Sequence, residues 1–205
     1  MSIQPAKFHL LDQSKPAWQP RRVLLFSGHM LDAPNRAPPR FPAEKTALAA
    51  QCIAGKLDEL QAGPGDLAIT QGANGGDILF AEACLQRDVK LQLLQPFKEA
   101  EFIENSVTPG HADWLQRYQA IARQLPNPPL AAPTELGPLP PDMNAYERCN
   151  LWLLASGLAY GPEKLVFICL WDGGGGDGPG GTAHMVAQVQ KQHGQAIWLD
   201  TRTLW

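Results

Sequence analysis

The chain has 205 residues, of which 44% are hydrophobic and 18% charged, and a formal net charge of -3 at pH 7. That balance belongs to a globular protein with one sizeable core rather than to a disordered chain. No basic excess marks it as a nucleic-acid binder, and no apolar run is long enough to span a bilayer.

Residues 1–20 read as an irregular arm, with prolines at 5, 16 and 20, and residues 21–205 as a single domain. The arm has no apolar segment of signal-peptide type, so a cytoplasmic protein is expected. Cys52, Cys84, Cys149 and Cys169 are widely spaced and form no CxxC pair. Reduced core thiols, and no metal site, are therefore expected.

"RVLLFSG" (Arg22–Gly28) is a short apolar run ended by glycine and reads as a buried strand. Prolines at 34, 38, 39 and 42 keep His29–Pro42 irregular. From Ala43 to Gln61, apolar residues recur at steps of three and four, which predicts an amphipathic helix. "DLAIT" (Asp66–Thr70) is the second strand, and a helix follows from about Asp77 to Arg87. "VKLQLLQPF" gives the third strand. Residues 98–124 read as one or two helices broken near Thr108–His111. The Pro-rich stretch 125–142 reads as a long surface loop. Asn144 with Glu147 fits a capping box, which starts another helix there. "KLVFICLW" (Lys164–Trp171) is the fourth strand, and a helix over Thr182–His193 leads to the last strand, "AIWLD".

Strands alternate with helices throughout, which predicts a three-layer Rossmann-like α/β domain. The expected sheet is mainly parallel and five-stranded, in the order 3-2-1-4-5. Its strand-to-helix loops then share the carboxyl edge, where ligands bind near the reversal of strand order. Three unusual segments fall there, and they hold much of the chain's glycine. Glycine lets backbone N–H groups turn onto an anion, and a helix N-terminus adds partial positive charge. Tight turns also need glycine where nothing binds.

The first segment offers Gly28, His29, Asp32, Arg36 and Arg40. The two arginines suit a bidentate phosphate clamp. His29 suits a general base, a phosphate contact or a partner for loop carbonyls. The second segment, "QGANGGD", offers Gly72, Asn74, Gly75, Gly76 and Asp77. It suits a ribose or a second phosphate, with Asp77 either capping the helix or holding a sugar hydroxyl.

The third segment, "WDGGGGDGPGGT", begins with Trp171, against which a base can stack, and Asp172. Asp177 and Gly178 follow. It ends on Gly180, Gly181 and Thr182, two bare amides and a hydroxyl suited to a phosphate. No Walker A lysine, no GxGxxG and no GxSxG elbow is present. Hydrolysis of nucleoside triphosphates and a serine triad are therefore not expected.

The stretch "ITQGANGGDILFAEACLQRDVKLQLLQP" followed by "PGGT" resembles the SLOG superfamily, which includes the LOG phosphoribohydrolases and DNA-processing protein A. The order and spacing agree over about Val23–Asp200, in a pattern similar to an uncharacterised bacterial branch. The resemblance implies a Rossmann-like fold that binds or senses a nucleotide or a nucleotide-derived phosphate ligand. It implies no required cofactor, although a bound nucleotide, phosphate or sulfate is expected. It also implies a homodimer, with the helix face of "LWLLASGL" as its interface.

One alternative it implies is cleavage of the N-glycosidic bond of a nucleoside monophosphate or NAD-like substrate. Arg148 would then take the LOG-type catalytic role, with Asp177, Asp172, Asp77 or Asp32 replacing the family's carboxylate and His29 available as a general base. The position of the LOG glutamate is taken by Met185, beside His184. A DNA-processing role is a further alternative, against which the acidic balance stands.

Overall fold

The computed structural model describes residues 3–5, 18–110, 112–175, 180–192 and 195–204. Most of the expected N-terminal arm lies outside these residues, as do His111 and His193.

The described residues form a parallel six-stranded sheet flanked by helices on both faces. Its strands are β1 (Val23–Gly28), β2 (Leu67–Thr70), β3 (Lys90–Gln95), β4 (Leu130–Ala131), β5 (Leu165–Trp171) and β6 (Gln195–Asp200). The order is β4-β3-β2-β1-β5-β6. The five expected strands thus keep their expected order, and the count is corrected by β4. This short edge strand lies inside the stretch expected to be a surface loop. Leu130 and Ala131 join the sheet by pairing with Leu94 and Gln95, a contact no local pattern announces.

Side chains alternate between the two faces, as a strand period of two requires. Leu24, Phe26, Ala68, Leu93, Val166 and Ile168 belong to the core on one face. Val23, Leu25, Ile69, Leu94, Phe167 and Cys169 belong to the core on the other. The first face is covered by α1 (Thr46–Glu59), α2 (Gly76–Leu85) and α4 (Ala112–Ala122). The second is covered by α6 (Ala145–Leu158) and α7 (Thr182–Lys191).

Helix α1 buries Ala49, Ile53 and Leu57, the stripe its periodicity predicts. A 3-10 turn over Ala43–Lys45 precedes it. The expected break in 98–124 resolves into α3 (Glu99–Phe102), a π-helical turn at Ile103–Val107, a 3-10 turn at Thr108–Gly110, and α4. Two further short helices are α5 (Ala132–Glu135) and α8 (Thr201–Leu204). No helix among the described residues is long and apolar enough to cross a membrane.

Candidate functional site

Strands β1, β2 and β5 end together at the carboxyl edge, because Ser27 pairs with Cys169 and Gly28 with Leu170, while Leu25 pairs with Ile69. A cavity of about 580 Å³ opens there, a volume suited to a small-molecule site. Of the residues singled out in the sequence, Gly28, His29, Arg36 and Arg40 line it from the first loop. Asp77 lines it from the second segment. Trp171, Gly180, Gly181 and Thr182 line it from the third. Asp177 and Gly178 lie outside the described residues.

The remaining candidates support the cavity from outside its lining. Asp32 Oδ2 accepts from the N–H groups of Arg40 and Phe41, at 2.8 and 2.9 Å. The Asp32 N–H in turn donates to the Phe41 carbonyl. Asp32 therefore folds the proline-rich loop back on itself, with Phe41 buried as its anchor. That fold carries Arg36 and Arg40 to the cavity. Asn74 is buried; its Oδ1 accepts from Leu31 N–H at 3.0 Å, and its Nδ2 donates to the Ser106 carbonyl at 3.0 Å. It ties the first loop to the π-helical turn.

Two glycines of the second segment are required by close packing. Gly75 has φ +82, and a Cβ there would stand 2.7 Å from the His29 carbonyl oxygen. Gly76 meets Gly28 backbone to backbone, so a Cβ on either would lie 3.1 Å from the other's Cα. The start of α2 thus presses on the end of β1. Gly72 stands at φ +88 and gives its N–H to Asp77.

Asp77 is buried and gathers this junction. Oδ1 accepts from Gly28 N–H at 3.2 Å, and Oδ2 from Gly72 and Ala73 N–H at 3.2 and 3.4 Å. Burial pushes its carboxyl up to about 6, against the pull of those donors. His29 is also buried, and its Nε2 lies 3.1 Å from Asp172 N and 3.2 Å from Asp172 Oδ1. Burial first, and Arg40 second, lower the His29 pKa, against the opposite pull of Asp172. Burial pushes the Asp172 carboxyl up, but Gly174 N–H and His29 outweigh it, leaving it below its ordinary value.

Helices α2, α6 and α7 all begin beside the cavity, and they differ in their first turns. Helix α2 carries Asp77 there. Helix α6 is capped by Asn144, which accepts from Tyr146 and Glu147 N–H at 2.9 and 3.3 Å. Helix α7 starts at Gly181 and, among the described residues, has no side-chain cap and no acidic residue in its first turn. Its first donors lack intrahelical acceptors and carry the positive end of the helix dipole. Ser27 Oγ lies 3.2 Å from Thr182 Oγ1, which fixes that turn over the end of β1.

Sequence reasoning missed Gln71, Ser106 and Tyr146, which line the cavity, and Asn150, which builds it. Asn150 Nδ2 donates to the Gly180 carbonyl at 2.6 Å, and its Oδ1 accepts from Gln71 Nε2 at 3.0 Å. Tyr146 Oη and Ser106 Oγ are 3.2 Å apart. These positions come from separate elements, so no local motif joins them. Only the Asn144 cap, which fixes the phase of α6, was visible in the sequence.

Arg148 stands apart from the cavity lining. Its Nη1 donates to the Gly137 and Pro138 carbonyls at 2.9 and 3.0 Å, and burial lowers its pKa. Met185 is fully buried in the core. His184 lies between Asn150 Nδ2 and Gln188 Nε2, at 3.4 and 3.2 Å. Among the described residues no group of three His, Cys, Asp or Glu side chains is placed to hold a metal ion. No protein-family model matches the chain, and no curated protein sequence matches it significantly.

Proposed function

We propose that the chain binds a nucleotide or nucleotide-derived phosphate ligand in the cavity at the carboxyl edge of its sheet. The observation that carries this reading is the first turn of α7. Among the described residues it has no side-chain cap and no acid in its first turn, and it opens into a cavity that Arg36 and Arg40 also line. Backbone N–H groups, the Thr182 hydroxyl and two guanidinium groups together form a phosphate cradle. Trp171 in the same lining gives a base a surface to stack on.

Binding is favoured over glycosidic hydrolysis for a geometric reason. Arg148 is engaged with loop carbonyls outside the cavity, and Met185 is part of the core. Neither is in a position to stabilise an oxocarbenium-like transition state.

The test is thermal denaturation with inorganic phosphate, AMP and other nucleoside monophosphates, repeated with Arg40→Ala. A ligand at a hundred times its Kd stabilises the folded state by about 2.7 kcal/mol. A rise in Tm with AMP that Arg40→Ala reduces is expected. No shift with any phosphate compound overturns the reading.

A further inference from the structure

We propose that His184 is a pH-sensitive latch on the turn that starts α7: its neutral ring lets Asn150 hold the Gly180 carbonyl, and its protonated ring makes Asn150 let go. The latch is a property of the chain itself and stands whether or not an anion binds at the turn.

Gln71, Asn150, His184 and Gln188 form a row of hydrogen-bonding side chains that starts in the cavity lining. Asn150 is buried, and its amide is fixed at both ends. Oδ1 accepts from Gln71 Nε2 at 3.0 Å, and Nδ2 donates to the Gly180 carbonyl at 2.6 Å. A half-turn of that amide would set Oδ1 against the Gly180 carbonyl, oxygen to oxygen. Nδ2 therefore keeps its place and has a second hydrogen to give. His184 Nδ1 and the Gly181 carbonyl oxygen each lie 3.4 Å from it. Nδ1 thus faces a donor, which makes it the acceptor nitrogen and puts the ring hydrogen on Nε2. Nε2 lies 3.2 Å from the Gln188 amide nitrogen. Among the described residues the Gln188 amide has no such anchor, and a half-turn presents its oxygen to that hydrogen.

Protonation adds a hydrogen to Nδ1 and sets it against Asn150 Nδ2, donor to donor. A half-turn of Asn150 gives that hydrogen an acceptor, and it costs the Gly180 bond. Burial is the largest cause lowering the His184 pKa; Glu147 from α6 pulls it up, and Lys191 on α7 lowers it further. Of the other elements packed against α7, β1 carries no titratable side chain. Strand β5 brings only the buried Cys169, and β6 only Asp200, which is paired with Arg202.

NMR of the full chain across about pH 5–8, where histidine changes charge, tests the latch. Gly181 N shares a peptide bond with the Gly180 carbonyl, so its nitrogen shift reports the Asn150 bond. The neutral ring is expected to carry its hydrogen on Nε2 and to titrate below about 6.5. The Gly181 shift is expected to follow that same midpoint. His184→Gln keeps an oxygen that accepts from Asn150 and carries no titrating group, so its Gly181 shift should stay flat there. His29 and Asp77 also titrate beside the cavity, which makes the variant decisive rather than the native curve. A ring hydrogen on Nδ1, or a His184 midpoint at or above the ordinary value, overturns the latch. So does a Gly181 shift that ignores the His184 midpoint, or one that persists unchanged in His184→Gln.

Discussion

Asn150 Nδ2 donates to the Gly180 carbonyl at 2.6 Å, and through this bond helix α6 holds the turn that starts α7. The same side chain reaches Gln71 after β2, so one buried amide joins two of the three glycine-bearing segments. Asn150→Ala leaves the Gly180 carbonyl unpaired inside the protein. A loss of about 2 kcal/mol in urea denaturation is expected. AMP affinity should fall with it, because the phosphate turn loses its support. Asn150→Asp sets a carboxylate against the same carbonyl and should be worse.

The glycines divide by what a Cβ would meet. At Gly180, φ is +88 and a Cβ would stand 2.4 Å from Tyr146 Cβ. Gly180→Ala is expected to cost about 3 kcal/mol, from backbone strain and overpacking together. Gly55, within α1, has nothing within 4 Å of its Cβ position. Gly55→Ala should stabilise the fold by about 0.5–1 kcal/mol. Chemical denaturation of the two variants gives opposite signs if both positions are as described.

Asp77 makes stability depend on pH in a known direction. Its carboxyl is raised from 3.8 to about 6 in the folded chain, so the folded state holds a proton that the unfolded state has lost. The contribution is fully present below pH 3.8 and is lost as pH rises through 6. It spans about 3 kcal/mol at 1.36 kcal/mol per unit. Denaturation of the native chain and Asp77→Ala across pH 3.5–7 checks this. Their stability difference should be largest at the acid end and shrink toward pH 7. A difference that is flat or grows with pH counts against a raised carboxyl.

Arg148 separates binding from hydrolysis. Its guanidinium holds the Gly137 and Pro138 carbonyls, so Arg148→Ala should destabilise the fold by about 1–3 kcal/mol. AMP affinity should be unchanged under conditions where the variant is folded. Release of free base from AMP by the native chain, abolished in the variant, would instead place Arg148 in catalysis.

The fold was legible where burial is written locally. Apolar runs marked β1, β2, β3, β5 and β6, and a three-and-four periodicity marked α1. Strand β4 was hidden because two residues in a Pro-rich stretch carry no period; pairing with Leu94 and Gln95 makes them a strand. At the site, glycine clusters located the edge. They did not reveal that Gly75 and Gly76 are there for backbone packing against His29 and Gly28. Asp32 and Asn74 were visible as polar loop residues, but their part in shaping loops depends on partners eight and more positions away. Tyr146, Ser106 and Asn150 meet the cavity only through tertiary contacts.

A crystal structure of the protein with AMP tests the central claim most directly. The expected result is phosphate density within hydrogen-bond distance of Thr182 Oγ1 and the first N–H groups of α7, with Arg36 or Arg40 against it. An empty cavity at saturating AMP, or a phosphate bound away from the Gly180–Thr182 turn, contradicts it.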